Sequence, residues 1–179
     1  MNASATANAN ALATADLLSK MKYRLPKMRL CLVSEAKRPA KTIVIESPTD
    51  AAKFLAPLKH ASEEHFVSLH LNAKHEVIGL HEVSHGTLSA SLVHPREVFK
   101  AAIVANSYAM IVCHNHPSGA ALTPSLEDIE TTKQLLSAGK ILGISVVDHL
   151  IVSPAGKKEE IYSLRENYPH LWNQPPQKG

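Results

Sequence analysis

One stretch limits what this chain can fold into more than any other. It is a short apolar run, Ile111–Cys113, that leads into His114 and His116 and then into Pro117 and Gly119. The apolar run predicts a buried strand, and the turn residues after it predict a loop. Side chains two positions apart on an extended segment project to the same face. The sequence therefore predicts that both imidazoles converge on one point at the end of a buried strand.

A helix-start signal follows this loop. Thr123 before Pro124 is typical of a helix with a threonine N-cap and proline at its first position. It places Ser125 and Asp128 in the first turns of the helix, where both can face back towards the strand end. Two histidines and one carboxylate suit zinc and leave a fourth position open for water. Asp128 is our predicted third ligand, and the adjacent Glu127 is the alternative.

Each part of this pattern also has an ordinary explanation. A bare His-x-His pair occurs often by chance. Asp128 could simply interact with the helix dipole, and Ser125 could be only a capping residue. The combination favours a metal site, because the two histidines, Ser125 and Asp128 would then each have a defined role in one site.

Glu82 is the candidate general base. A metal hydrolase needs a group that accepts the proton of the attacking water. Glu82 lies near the end of the predicted strand Glu76–Val83, beside a Gly86-Thr87 turn, where a sheet edge can open onto a site. The alternative is a solvent-facing strand glutamate, and spacing alone does not decide between the two.

Length, charge and cysteine content exclude several other classes. A chain of 179 residues is most simply one domain with tails. A formal net charge of +3 and an aromatic content of 4% do not favour nucleic acid as the main partner. No apolar run is long enough to span a membrane. Two distant cysteines, Cys31 and Cys113, make no disulfide framework and favour a reduced, cytoplasmic protein.

Strand and helix patterns alternate along the chain. We therefore predict an α/β fold with a mixed central sheet flanked by helices. The predicted strands are Phe66–Leu71 and Glu76–Val83, a hairpin that turns at Asn72–Lys74, followed by Ala109–Cys113 and Ile144–Val152. The predicted helices start at Ser47-Pro48, cover Pro95–Ala105, and run from Pro124 to Gly139 or Gly143.

The same patterns divide the chain into four parts. Within the second part, Met28–Val33 and Thr42–Ile45 are predicted to pair as strands and to pack on the core. The four parts are a flexible leader at 1–20, the strand pair at 21–47, the domain with the site at 48–167, and a flexible tail at 168–179.

Together these residues resemble a known family signature. The run His114–Gly119, with Ser125 and Asp128 after it, is similar to the JAMM (MPN+) metalloprotease signature and in particular to its bacterial RadC branch. The resemblance extends from about Thr49 to Asn167. It implies an MPN/JAB architecture, a mixed sheet flanked by helices that is similar to cytidine deaminases. It also implies zinc held by His114, His116 and Asp128, Glu82 as the general base, and Ser125 as a hydrogen-bond donor to the oxyanion.

The resemblance implies a zinc-dependent metallopeptidase that hydrolyses amide bonds in a peptide or protein substrate, including isopeptides. One alternative is a DNA-repair-associated protein or a nuclease, since the RadC name derives from a proposed repair role. We expect the helix-hairpin-helix DNA-binding region of full-length RadC proteins to be absent here, and DNA binding to be weak and salt-sensitive at most.

A non-catalytic interaction module is the other alternative, and the complete ligand set argues against it. A zinc deaminase is also disfavoured, because Cys113 has no Pro-Cys-x-x-Cys partner. The sequence leaves the oligomeric state open.

Overall fold

A five-stranded sheet with helices on both faces makes up most of the described part of the chain. The computed structural model describes residues 42–86, 93–117, 122–154 and 161–173. The strands are β1 (His65–Leu71), β2 (Val77–His85), β3 (Ala109–Asn115), β4 (Ser145–Val152) and β5 (Ile161–Ser163). The helices are α1 (Pro48–Phe54), α2 (Pro95–Val104), α3 (Leu126–Leu142) and α4 (Leu164–Asn167), with 3₁₀ turns at Ala56–His60 and Pro169–Leu171.

The sheet is mixed, and its strand order is β2-β1-β3-β4-β5. Strands β3 and β4 run parallel, whereas the other neighbouring pairs are antiparallel. The two parallel strands are joined by helix α3, as parallel strands need a crossover connection. The predicted α/β class with a mixed, helix-flanked sheet is therefore confirmed.

The central strands are buried on both sides, which explains why their sequences are almost continuously apolar. All of β3, and all of β1 after its first residue, is buried. On one face, Val67 packs in a cluster with Ala51 of α1. On the other face, Phe66 packs in a cluster with Phe99 of α2 and Leu135 of α3. We call these the α1 face and the α2–α3 face; successive strand residues alternate between them.

The hairpin between β1 and β2 turns at Asn72, as predicted. The Asn72 Oδ1 atom accepts hydrogen bonds from the amides of Lys74 and Glu76, at 2.9 and 3.0 Å. His75 has a positive φ of 58° in this turn. Asparagine favours such turns because its side chain bonds to the backbone two residues further on.

Helix α3 begins later than Thr123 and Pro124 led us to expect. Its N-cap is Ser125, whose hydroxyl accepts from the amide of Asp128 at 3.1 Å. The Asp128 side chain in turn accepts from the amide of Ser125, so the two residues form a capping box. Thr123 has no acid three residues later, and the box therefore fixes the start. The helix ends at Gly143, which has a left-handed φ of 69°.

The ends of the described chain differ from the prediction. Segment Thr42–Ile45 makes only an isolated bridge, between Val44 and Glu76, and its predicted partner Met28–Val33 lies outside the described residues. Residues 168–173, predicted as the start of a flexible tail, pack on the sheet: Leu171 is buried, and Trp172 Nε1 donates to the Val146 carbonyl at 2.8 Å. None of the helices in the described ranges is long and apolar enough to cross a membrane.

Candidate metal centre

Three side chains converge where β3 ends and α3 begins. The Nε2 atoms of His114 and His116 are 3.0 Å apart, and His114 Nε2 is 3.4 Å from Asp128 Oδ1. His116 Nε2 is 4.0 Å from Asp128 Oδ2. Two ligand atoms at about 2.0–2.1 Å from a tetrahedral zinc ion lie about 3.3 Å apart. The spacing of the two nitrogens and the carboxylate therefore fits one such ion, and together they could hold it.

The backbone of β3 explains why both histidines reach this point. His114 lies in the parallel ladder with β4, and the amide of His116 continues that ladder by donating to the Val152 carbonyl at 3.1 Å. The segment therefore stays extended through His116, and the two rings project to the same face. The side chain of His114 is 1% exposed and that of His116 is 18% exposed, so the group is open to solvent on the His116 side.

The carboxylate of Asp128 is held in place by its own helix cap. Its Oδ2 atom accepts from the Ser125 amide at 2.8 Å and from the Ser125 hydroxyl at 2.7 Å. Burial by itself raises the pKa of Asp128, but the nearby His114 and the hydrogen bonds from Ser125 outweigh it and leave this pKa well below its usual value. Asp128 is thus ionised and could act as a ligand, whereas the alternative, Glu127, is exposed and is not brought to the two histidines.

A buried histidine supports the group from behind. His149 of β4 places its Nε2 atom 2.9 Å from His114 Nδ1, and its Nδ1 atom 2.6 Å from the hydroxyl of Thr132. The Thr132 hydroxyl also donates to the carbonyl of Asp128 at 2.6 Å. Burial, followed by the charge of His114, lowers the pKa of His149 well below its usual value, so His149 is neutral.

Glu82, the predicted general base, is not brought to the three ligands. It pairs with Val67 across β1 and β2, and residues paired in this way share a face, which for Val67 is the α1 face. Its Oε1 atom lies 2.5 Å from His65 Nδ1 and 3.6 Å from His85 Nδ1. The ligands lie on the other face, where the ring of Phe66 stacks on that of His114.

Glu64 is the carboxylate that the sequence analysis missed. It lies one residue before β1 and two residues before Phe66, which pairs with His114. The alternation of β1, continued by one residue, therefore places the side chains of Glu64 and Phe66 on the same face. Burial raises the pKa of Glu64; the charge of His114 lowers it and that of Asp128 raises it, so Glu64 lies within electrostatic reach of both ligands.

Asn115 fixes the segment that carries Glu64. Its Oδ1 atom accepts from the His65 amide at 2.7 Å, and its Nδ2 atom donates to the Glu63 carbonyl at 2.9 Å. The backbone on both sides of Glu64 is therefore tied to the end of β3, between the two histidines. The alternation of β1 was the available signal, but it needed the register between β1 and β3 to be interpreted.

Residues 45–169 match the family described as the RadC-like JAB domain, which covers most of the chain and all of these site residues. This chain belongs to the RadC-like JAB domain family. Its predicted RadC resemblance is thereby confirmed, and a group of two histidines and an aspartate that could hold a metal ion is consistent with a JAB domain.

Relatives from several bacteria support the assignment. A UPF0758 protein of Symbiobacterium thermophilum is 50% identical over 119 residues, which cover 66% of this chain and 50% of that protein. A UPF0758 protein of Staphylococcus haemolyticus is 48% identical over 132 residues, covering 73% of this chain and 56% of the relative. The chain thus spans about half the length of the curated relatives it matches.

Proposed function

We propose that this RadC-like JAB domain is a zinc-dependent hydrolase that cleaves amide bonds in peptides or isopeptides. The observation that carries the proposal is the convergence of two imidazole nitrogens and one ionised carboxylate on a point that is open on one side. Three protein ligands with a free fourth position are typical of catalytic zinc sites, whereas structural sites use four. The donor set of two nitrogens and one oxygen suits zinc.

Each site residue takes one role in this proposal. His114, His116 and Asp128 hold the ion, which would act as a Lewis acid and lower the pKa of a bound water to about 7. Glu64 accepts the proton of the attacking water and passes it to the leaving amine. Its raised pKa suits a group that must both take up and release a proton. Glu64 replaces Glu82 in this role because Glu82 lies on the α1 face.

Ser125 is the proposed donor to the oxyanion. Its hydroxyl has one proton, which the Asp128 carboxylate accepts at 2.7 Å in this structure. To stabilise the oxyanion, the Ser125 hydroxyl must therefore rotate away from Asp128 as charge develops on the substrate. One such donor contributes about 3 kcal/mol to the transition state.

Metal analysis followed by an activity screen tests the proposal. We expect the purified full chain to hold about one zinc per molecule, as a three-ligand site implies. The zinc-loaded chain is then screened against peptide, isopeptide and nucleic-acid panels, with the metal-free chain as control. Zinc-dependent cleavage of an amide substrate supports the proposal. Absence of tight zinc binding, or zinc-dependent cleavage of nucleic acid alone, overturns it.

The remaining expectations from the sequence stay predictions: a cytoplasmic location, a peptide or protein partner, and weak, salt-sensitive binding to nucleic acid.

A further inference from the structure

A chain of hydrogen bonds behind the metal centre links two of its ligands through residues that do not face the ion. It runs from His114 Nδ1 to His149 Nε2 at 2.9 Å, then from His149 Nδ1 to Thr132 Oγ1 at 2.6 Å. It ends with the Thr132 hydroxyl and the carbonyl of Asp128, at 2.6 Å. Strands β3 and β4 and helix α3 each supply a member, and His114, His149 and Thr132 are all buried.

The number of protons available determines which atom is the donor and which is the acceptor in each of these hydrogen bonds. A carbonyl can only accept, so the single hydroxyl proton of Thr132 goes to Asp128. Thr132 Oγ1 must then accept from His149, which places the His149 proton on Nδ1. His149 is fully buried, and burial disfavours a charged ring. A neutral imidazole carries one proton, so His149 Nε2 is an acceptor, and His114 Nδ1 is the donor to it.

The consequence for His114 concerns its other nitrogen. With the proton on Nδ1, the lone pair of His114 is on Nε2, the atom that lies 3.0 Å from His116 Nε2 and 3.4 Å from Asp128 Oδ1. In the opposite direction, His149 would donate from Nε2, and His114 would carry its proton on the nitrogen that faces the ion. The direction in which these hydrogen bonds are donated therefore decides whether neutral His114 can bind a metal without moving a proton.

We propose that Thr132 and His149 are positioning residues that hold His114 in the tautomer with a free Nε2 lone pair. They act through hydrogen bonds to His114 and to the backbone of Asp128, so they orient a ligand from each side of the centre. Partners of this kind fix the ring orientation and tautomer of metal-binding histidines. This inference rests on the metal-binding part of the proposed function.

Zinc affinity measured by competition with a chelator tests the role of Thr132. Thr132→Val keeps the shape of the side chain but can neither donate nor accept, and we expect affinity to fall about 10- to 100-fold. Thr132→Ser restores the hydroxyl and should restore the affinity. Ser68→Ala is the matched control, because it removes another buried contact between a hydroxyl and an imidazole, Ser68 Oγ to His70 Nε2 at 3.2 Å, away from the ligands. It should leave the affinity unchanged.

The tautomer itself is measured on the wild-type chain, so the inference stays testable even if Thr132→Val does not fold. Long-range ¹⁵N–¹H spectra of the metal-free full chain, with labelled histidines, should show His149 protonated at Nδ1 and bare at Nε2. His149→Phe assigns the signals.

The outcomes separate this inference from the proposed function. Wild-type zinc binding that Thr132→Val leaves unchanged, or a His149 that carries its proton on Nε2, overturns the inference and leaves the zinc-hydrolase proposal standing. An equal loss of affinity in Ser68→Ala also overturns it, because the effect would then be one of general packing. A wild-type chain that binds no zinc overturns both.

Discussion

Exchanging one glutamate at a time for glutamine should separate the two candidate bases. Glutamine has nearly the size of glutamate but cannot take a proton from water. Glu64 directly precedes β1 and is within reach of the charges of His114 and Asp128. Glu82 lies in β2 and pairs with Val67 on the α1 face. Glu64→Gln should lower kcat/KM by about 100- to 10,000-fold, the usual contribution of a general base. This loss corresponds to about 2.7–5.4 kcal/mol in the activation barrier.

The two substitutions should have different effects on the stability of the folded chain. Because burial raises the pKa of Glu64, its ionised form is disfavoured in the folded chain at pH 7. Glu64→Gln removes that charge, so the metal-free variant should be as stable as the wild type or more stable. Glu82→Gln weakens the contacts of this side chain with His65 and His85, but the Glu82 side chain is 48% exposed. Exposed pairs contribute at most about 1 kcal/mol, so this variant should be slightly less stable and fully active.

Three measurements on each variant decide the matter: zinc content, the thermal unfolding temperature of the metal-free chain, and kcat/KM on a substrate of the wild-type chain. Both variants should keep their zinc, because neither glutamate is a proposed ligand. A folded, zinc-loaded Glu64→Gln chain with full turnover would refute the reasoning, and so would an inactive Glu82→Gln chain.

Three further predictions concern single residues. Asp128→Ala should lose zinc whereas Glu127→Ala should keep it, by elemental analysis, because only Asp128 lies beside the histidines; the reverse result would exchange their roles. Ser125→Ala should lower the free energy of unfolding, measured with urea, by about 1 kcal/mol, because the helix loses its N-cap. It should also lower kcat by about 100-fold or more, because the oxyanion loses a donor. An unchanged kcat would exclude the role of Ser125 as oxyanion donor. Burial, followed by the charge of His81, lowers the pKa of His70 from 6.5 to about 4. At a pH between these two pKa values the unfolded chain binds more protons than the folded chain. When the pH falls from 7 to 5, the wild type should therefore lose about 2 kcal/mol more stability than His70→Gln. Equal losses would contradict this pKa.

Local patterns predicted most of the secondary structure and the convergence of the ligands. The alternation in β3 was enough to place His114 and His116 on one face. The start of α3 was misjudged because two cap signals lie close together. The acid three residues after Ser125 distinguishes them, since Thr123 is followed at that distance by Leu126, which cannot complete a capping box.

The proposed general base, Glu64, could not be found by the same local reasoning. Alternation within a strand divides its residues into two sets but does not say which set meets a residue of another strand. That depends on register, which is fixed by pairing between distant segments. The pairing of Phe66 with His114 places Glu64 on the same face as the histidines, and the pairing of Val67 with Glu82 places Glu82 on the opposite face. The polar partners His149 and Thr132 are likewise brought together only by the parallel contact of β3 with β4 and by helix α3.

The antiparallel pairing of β1 with β3 also determines where the chain can change length. Deleting His65 would move Glu64 by one position along β1 and turn its carboxylate to the α1 face. The buried clusters would stay intact, because the pairing from Phe66 onward is unchanged. A change of one residue here should thus abolish the proposed role of Glu64 and leave the fold intact. At the Asn72 turn, an insertion lengthens a surface connection and leaves the spacing of Glu64 from Phe66 unaltered. Natural insertions and deletions should therefore accumulate at such turns and avoid the junction before β1.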